Sequence, residues 1–386
     1  MSAQLAIVGA ADTEVGVVPG KSPMELCVEA GLLALRDTGL EKSAVDGLIT
    51  CNAMAEPIMY HAEAMAEYLQ IFPPMCMTVN TGGGTTFSVL AHAAAAIQAG
   101  LANTILISMA DSLRSSMTRE QAMLTQSSTG HPQFEQIYGP TVPAYYALIA
   151  TAHMAQFGTT QADFAEVAVS GRLHAMQNPT AQMRDAITVD EVLNSRLIAD
   201  PLHLLDCSLV SDGGSAIVVT SEARAEDFPH RPVYLLGAGE GHSHEHISQA
   251  ADLTTSAAKQ SGQAAFAQAG LTHSDIDFAQ IYDCFTPTVL VQLEDLGFCK
   301  KGEGGAFVRS GATRPGGQLP VNTHGGMLSH CHPGNPGAMF ALTEAVWQLR
   351  GCANGRQVQD AQTALVHAQG GIMSSHATLI LGTERG

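Results

Sequence analysis

The stretch Val79-Asn80-Thr81-Gly82-Gly83-Gly84 returns almost letter for letter as Val321-Asn322-Thr323-His324-Gly325-Gly326. Working outward from the two copies, further matches fall in the same order. Gly39-Leu40 and then Val45-Asp46 precede the first copy, and Gly270-Leu271 and then Ile276-Asp277 precede the second, with the same gap from Leu to Asp. Separated patterns that run in step indicate a duplicated domain. A site is expected where two such halves meet, and the differences between the copies should locate its chemistry.

The surrounding pattern alternates strands and helices. Strands are expected at Leu5–Val8, Gly47–Cys51, Thr104–Met109 and Ser215–Thr220, and helices at Pro23–Asp37 and Thr86–Ala99. The second half repeats the scheme, with strands at Val233–Ala238, Phe278–Asp283, Thr363–His367 and Ala377–Gly382. Helices are expected there at Thr254–Ala269, Pro287–Leu296 and Ala338–Leu349. Continuous apolar strands such as Thr104–Met109 suit a sheet covered on both faces, so the class is a layered α/β fold. Residues 112–206 break the rhythm and read as a helical insertion with long loops. The expected division is therefore 1–111 with 207–230, the insertion 112–206, and a second half 231–386.

A chain of 386 residues accommodates two domains of roughly 150–200 residues each. Charged residues are only 14%, against about 25% in typical domains, which suggests that more surface is hidden in an oligomer. The net charge of −18 repels phosphate backbones and anionic lipid, so nucleic acid and membrane partners are not expected. No apolar run approaches the ~20 residues of a membrane span. The eight cysteines include no C-x-x-C pair and read as free thiols of a reducing cytosol, not as staples or a zinc site. Met1–Ala10 passes straight into an apolar strand without a basic leader, so a cytoplasmic location is expected.

Two glycine-rich segments carry the chemistry. Gly82-Gly83-Gly84 follows extended residues and precedes a helix, where glycine admits a ligand close to the backbone and the helix N-terminus can hold an anion or oxyanion. A tight turn chosen for packing reads equally well from these residues alone. No G-x-G-x-x-G follows a strand, so a dinucleotide site is not indicated. Asn322 to Gly337 reads NTHGGMLSHCHPGNPG and places His324, His330 and His332 beside Cys331. Imidazole binds metals readily, but no Asp, Glu or Cys set accompanies these histidines. A general base suits a histidine better here.

Taken together, these motifs resemble the thiolase superfamily, and within it the sterol-carrier-protein-type thiolases and their thiolase-like relatives. The resemblance covers nearly the whole chain. The family signature V-N-x-x-C-G-S-G…A-x-x-x-I-x-A-G is matched without gaps by Val79 to Gly100, and N-x-x-G-G…G-H-P by Asn322 to Pro333. The sterol-carrier type's H-D-C-F becomes Tyr282-Asp283-Cys284-Phe285. The resemblance implies a duplicated five-layered α-β-α-β-α thiolase fold with an inserted loop domain, acting as a dimer on an acyl-CoA. Coenzyme A would enter as part of the substrate, with no tightly bound cofactor and no metal.

The departures from the family are informative. Its nucleophilic cysteine falls on Gly83, and its second cysteine is absent from Val366-His367-Ala368-Gln369-Gly370-Gly371. Without a side chain, residue 83 cannot form an acyl-enzyme. The surviving parts, an oxyanion site and a base, suit retro-aldol cleavage of a β-hydroxyacyl-CoA. Family members lacking the cysteine include aldolases that shorten steroid side chains. These carry tyrosine where Tyr282 stands, and usually tyrosine where His332 stands. They work with a small accessory subunit bearing an OB fold and often a zinc ribbon. The resemblance thus implies Tyr282 and His332 as acid and base, and His324 as an oxyanion or positioning residue. Gly82, Gly83, Gly84, Gly370 and Gly371 would form the loops that approach the ligand. Two alternatives stay open at this point: an acyltransferase using Cys331 or Cys284 as a relocated nucleophile, and a catalytically silent acyl-CoA-binding subunit. Met117, Met123, Tyr138, Tyr145, Tyr146 and Met154 of the insertion suggest an apolar or aromatic acyl pocket, or ordinary core.

Overall fold

The structure, a computed structural model, describes residues 5–385. Residues 1–4 and 386, which the expected halves and leader-free start include, lie outside the described residues. The first half runs β1 (Leu5–Asp12), α1 (Pro23–Thr38), β2 (Gly47–Thr50), α2 (His61–Leu69), β3 (Met75–Thr78), α3 (Thr85–Gln98) and β4 (Thr104–Ser112). It is interrupted by α4 (Leu113–Ser116), α5 (Arg119–Ser127), α6 (Val142–Phe157), α7 (Gln161–Ala175) and α8 (Val189–Leu193), with short strands β5 (Leu197–Ala199) and β6 (Leu202–His203). Strand β7 (Asp212–Ser221) then completes the first sheet. The second half contains β8 (Val233–His242), α9 (Ala258–Ala269), β9 (Phe278–Ile281), α10 (Thr286–Asp295), α11 (Gly304–Arg309), α12 (Gly326–Ser329), α13 (Gly337–Leu349), β10 (Thr363–Gly370) and β11 (Ser375–Gly382).

Strand order is β3-β2-β4-β7-β1 in the first half and β9-β10-β11-β8 in the second. Val321 bridges Ala279 in parallel, standing beside β9 as β3 stands beside β2. Two residue pairs, Ala6–Tyr234 and Ile7–Val233, join β1 to β8. Helices α3 and α13 touch strands of both halves, while α1 covers the first sheet and α9 the second. The layers therefore run α1, sheet, α3 with α13, sheet, α9, the five-layered duplicated architecture.

The repeat holds at the level of single hydrogen bonds. Gly39 and Gly270 end α1 and α9 in the left-handed conformation, at φ 72° and 67°, as glycine does most cheaply. The Asp46 carboxylate accepts from the amides of Asn103 and Thr104 at the start of β4. Asp277 does the same for Gln362 and Thr363 at the start of β10. Each aspartate thus pins one strand to its neighbour.

Some elements differ from the sequence reading. The strand expected at Ser215–Thr220 starts earlier, at Asp212, and takes in Gly213 and Gly214. A Cβ on Gly214 would meet the Leu26 carbonyl at 2.8 Å, so this glycine serves the close approach of α1 and not a turn. The helix expected from Thr254 begins at Ala258. Upstream, Ser256 is held by the Asp295 carboxylate through its amide and hydroxyl, a local alternative to helical bonding. Helix α2 is not among the expected elements, although Ala62, Met65, Ala66 and Leu69 stand at helical spacing and are buried. Strand β3, four residues long, is expected only as extended chain.

Candidate active site

The parallel strands end at one rim, where ligands of α/β sheets usually bind. Gly82-Gly83-Gly84 connects β3 to α3 there, and Tyr282 lies between β9 and α10. The Tyr282 amide donates to the His367 carbonyl at 3.1 Å, carrying the β9–β10 register one residue past the strand. Pro287 at the first turn of α10 then fixes the helix start. His332 lies between α12 and α13, where its amide donates to Ser211 Oγ at 3.2 Å. The fourth segment is the turn between β10 and β11, which begins at Gly371.

These segments enclose a cleft of about 530 Å³. Its polar centre is Tyr282, His332, Ser208 and the glycine backbones, and its walls include Met54, Leu113, Val142, Ile198, Leu204 and Ile372. Tyr282 Oη lies 3.2 Å from His332 Nε2, and Ser208 Oγ lies 2.8 Å from His332 Nδ1. Burial pulls the His332 pKa down to about 4, opposed by a hydrogen bond to the Leu209 backbone. The ring is therefore neutral at pH 7 and can accept a proton. Burial, and then the neighbouring Cys284 and Asp283, push the Tyr282 phenol well above its ordinary value, so it keeps its proton.

Gly83 and Tyr282 are complementary shapes. A Cβ on Gly83 would stand 2.4 Å from Tyr282 Oη and 2.5 Å from the Gln369 carbonyl. The phenol occupies the space that a side chain at residue 83 would need. The second glycine pair is equally close: a Cβ on Gly82 would meet Gly370 Cα at 2.9 Å. Backbone from each half thus meets backbone from the other.

The structure gathers some of the expected site residues and separates others. Gly82, Gly83, Gly370, Gly371, Tyr282, His332 and Cys284 line the cleft, whereas Gly84, His324 and Cys331 do not. His324 is buried against His330, with ring centroids 5.2 Å apart. Burial lowers its pKa to about 3. The three histidines of the loop do not converge, since His332 faces Tyr282. Cys331 is fully buried, with Sγ toward the Asp212 carbonyl. Burial raises its thiol pKa well above normal, and that of Cys284 to about 12. Neither is poised as a thiolate nucleophile. Of the six insertion residues suggested for the acyl pocket, Tyr146 alone lines the cleft, while Tyr138 is 81% exposed and Met123 49%. Ser208 and Gln369 escaped the sequence reading. A serine gives no motif, and its partner His332 is 124 residues away.

Two glycine loops from two α/β halves, closing on a part-buried Tyr–His pair with glycine where the family signature has its cysteine, define a thiolase-fold site that lacks that thiol. Residues 5–223 match the thiolase N-terminal domain and residues 239–383 the thiolase C-terminal domain-like family, so the chain belongs to the thiolase superfamily. It is 38% identical to a 17-hydroxy-3-oxo-4-pregnene-20-carboxyl-CoA lyase of Mycobacterium tuberculosis, over 99% of this chain and 100% of the relative. It is 37% identical to a steroid side-chain-cleaving aldolase of Thermomonospora curvata, over 98% of each chain. Among solved structures, the Ltp2-ChsH2(DUF35) aldolase superposes with a TM-score of 0.88 at 37% identity, covering 100% of this chain and 99% of that one.

Proposed function

We propose that this chain is a carbon–carbon lyase that cleaves a β-hydroxyacyl-CoA by a retro-aldol reaction. The observation that carries the reading is Tyr282 Oη, bonded to neutral His332 and filling the space beside Gly83. Tyr282 takes the proton of the substrate β-hydroxyl as its own proton passes to His332 Nε2. The Cα–Cβ bond breaks, a ketone or aldehyde forms, and the electron pair moves onto the thioester as an enolate. Amides of the glycine loops face the thioester oxygen; one such preorganised donor is worth about 2.7–4 kcal/mol in other enzymes. The proton then returns to Cα, leaving a shortened acyl-CoA and no net change in the dyad. Ser208 holds the His332 ring in register.

The apolar cleft walls and the activities of the two steroid-acting relatives support a polycyclic acyl group as the first substrate class. A homodimer is supported by the free edge of β3 and by exposed Tyr60, Tyr68 and Phe72 on the same flank. A small OB-fold accessory subunit is supported by the two-component make-up of the Ltp2-ChsH2(DUF35) aldolase. A cytoplasmic location is supported by eight unpaired cysteines. Among the described residues no helix is long and apolar enough to cross a membrane.

The test is an assay of purified protein, alone and with its accessory subunit, on β-hydroxyacyl-CoA and β-ketoacyl-CoA esters, read by mass spectrometry. Cleavage of a β-hydroxy ester without free CoA is expected. Cleavage of a β-keto ester only with free CoA would replace the aldol reading by thiolysis.

A further inference from the structure

Behind the cleft, His367 on β10 and His376 on β11 form a buried pair, each 1% exposed, with rings stacked at 5.2 Å between centroids. No step of the reaction uses either ring. Their hydrogen bonds form one chain. His376 Nε2 lies 3.1 Å from the Met373 carbonyl, His376 Nδ1 lies 3.1 Å from His367 Nε2, and His367 Nδ1 lies 2.8 Å from Thr378 Oγ1. Thr378 Oγ1 in turn lies 2.8 Å from Ser261 Oγ on α9.

A carbonyl can only accept, so His376 carries its proton on Nε2. Burial depresses both histidines, His376 to about 4, so both rings are neutral. His376 Nδ1 is then bare and accepts from His367 Nε2–H. His367 Nδ1 is bare in turn and accepts from the Thr378 hydroxyl. Every tautomer is fixed, and the chain points from the sheet interior toward the turn.

That turn, Gly371-Ile372-Met373-Ser374, carries the cleft residues Gly371 and Ile372. Met373, the acceptor of the chain, sits at φ 53°, a conformation costly for a residue with a side chain. From the other side, Gln369 Oε1 accepts from the Met373 amide, and Gln369 Nε2 contacts Tyr146 Oη and Cys284 Sγ. The His367 carbonyl also receives the Tyr282 amide. One residue of the pair thus touches the backbone of Tyr282, and the other the turn that faces the thioester.

We infer that His376 and His367 are positioning residues, a directed hydrogen-bond relay that holds the Gly370–Gly371 backbone and Tyr282 in their reactive placement. This rests on the lyase reading for its kinetic consequence but not for its structural one.

The experiment compares wild type, His376→Phe, His376→Gln and Thr378→Val in the full chain. His376→Phe keeps a ring of similar size and removes both bonds; His376→Gln restores a donor toward Met373. With the β-hydroxyacyl-CoA that wild type cleaves, kcat of His376→Phe is expected to fall at least tenfold with KM changed less than threefold, and His376→Gln to recover most of the loss. Hydrogen exchange of the 370–374 amides, read without substrate, should speed up at least tenfold in His376→Phe and less in Thr378→Val. Should His376→Phe not fold, Thr378→Val alone carries the test, with faster exchange at 370–374 and lower kcat expected. Unchanged exchange at 370–374 overturns the inference, as does a kcat within twofold of wild type. An inactive wild type with altered exchange in the variants overturns the lyase reading and leaves the relay standing.

Discussion

The two copies of the hexapeptide sit at matching places in the two halves but differ in backbone: the first turns left-handed at Gly82, the second at Asn322, Gly325 and Gly326. In the first, Asn80 is exposed and its side chain caps the Gly82 amide. Gly83 then lies bare at the cleft beneath Tyr282. In the second, Asn322 is buried at φ 58°, and its side chain pairs with both the amide and the carbonyl of Ile281, as a neighbouring strand would. Thr323 donates to Glu344, itself held by Arg356. Gly326 lies so close to Asp283 that a Cβ there would stand 2.0 Å from the carboxylate. Asp283 accepts from the amides of Met327 and Leu328 and so ties the Tyr282 segment to the loop that leads to His332. One copy thus lines the cleft with backbone, and the other frames the segments that carry Tyr282 and His332, the pair used in the proposed reaction.

The comparison can be broken most sharply at the residue that faces the first copy. Tyr282→Phe keeps the ring over Gly83 and removes the hydroxyl, so turnover should fall by on the order of 10²–10⁴ with binding retained; turnover equal to wild type would remove Tyr282 from the chemistry. Gly83→Ala comes next. Its Cβ must push the phenol aside, and a displacement near 1 Å costs about 10²-fold. Some loss of Tm should accompany it, because the same Cβ also meets the Gln369 backbone carbonyl. In the second copy the contrasting change is Gly326→Ala, one place further along the hexapeptide at φ 66°, which should cost more stability. It crowds a buried carboxylate and should destabilise the fold by about 1–3 kcal/mol, seen as a lower Tm. Similar losses of activity and stability for both alanines would erase the distinction between the copies.

Acid sharpens the comparison further. His332 is neutral when active, so kcat/KM should stay level from pH 7 down to about 5 and fall as pH drops through about 4. An acid limb at the ordinary histidine value, about 6.5, would mean that the ring is solvated. Stability follows the same sign. His324, His332 and His376 are held neutral, with pKa values of about 3, 4 and 4. The unfolded chain binds more protons than the folded one between those values and the unfolded pKa. The histidine share of stability is thus full above the unfolded value and declines as pH falls toward 4. Asp12, Asp111 and Asp283, raised by burial to about 7, 6 and 7, act in the opposite sense. The Tm difference between wild type and His376→Gln from pH 7 to 4.5 reads the histidine share. The smallest effect is expected from thiol chemistry. Iodoacetamide should leave more than half of the lyase activity, because Cys284 and Cys331 are held as thiols; complete inactivation would revive a thiolate mechanism.

Much of this was legible before any coordinates. The repeat of Gly39, Asp46 and the hexapeptide fixed the duplicated α/β class, because helix ends, strand anchors and buried strands write themselves in nearby residues. Gly83, where the family signature has its cysteine, pointed to a reaction without an acyl-enzyme at that residue, and Tyr282 and His332 were marked by their motifs. His324 was marked too, by its place in the second hexapeptide, and the structure turns it away from the cleft. Distance along the chain says nothing about which side of a loop a ring takes.

Sequence alone thus determined the fold, the duplication and the absent thiol, all of which depend on the kind of residue at a given local position. Only the tertiary structure decided that Tyr282 fills the space above Gly83, that Ser208 backs His332, and that His367 and His376 brace the turn. Those contacts join segments far apart in the chain through packing of the two halves, and no local pattern encodes a distance of that kind.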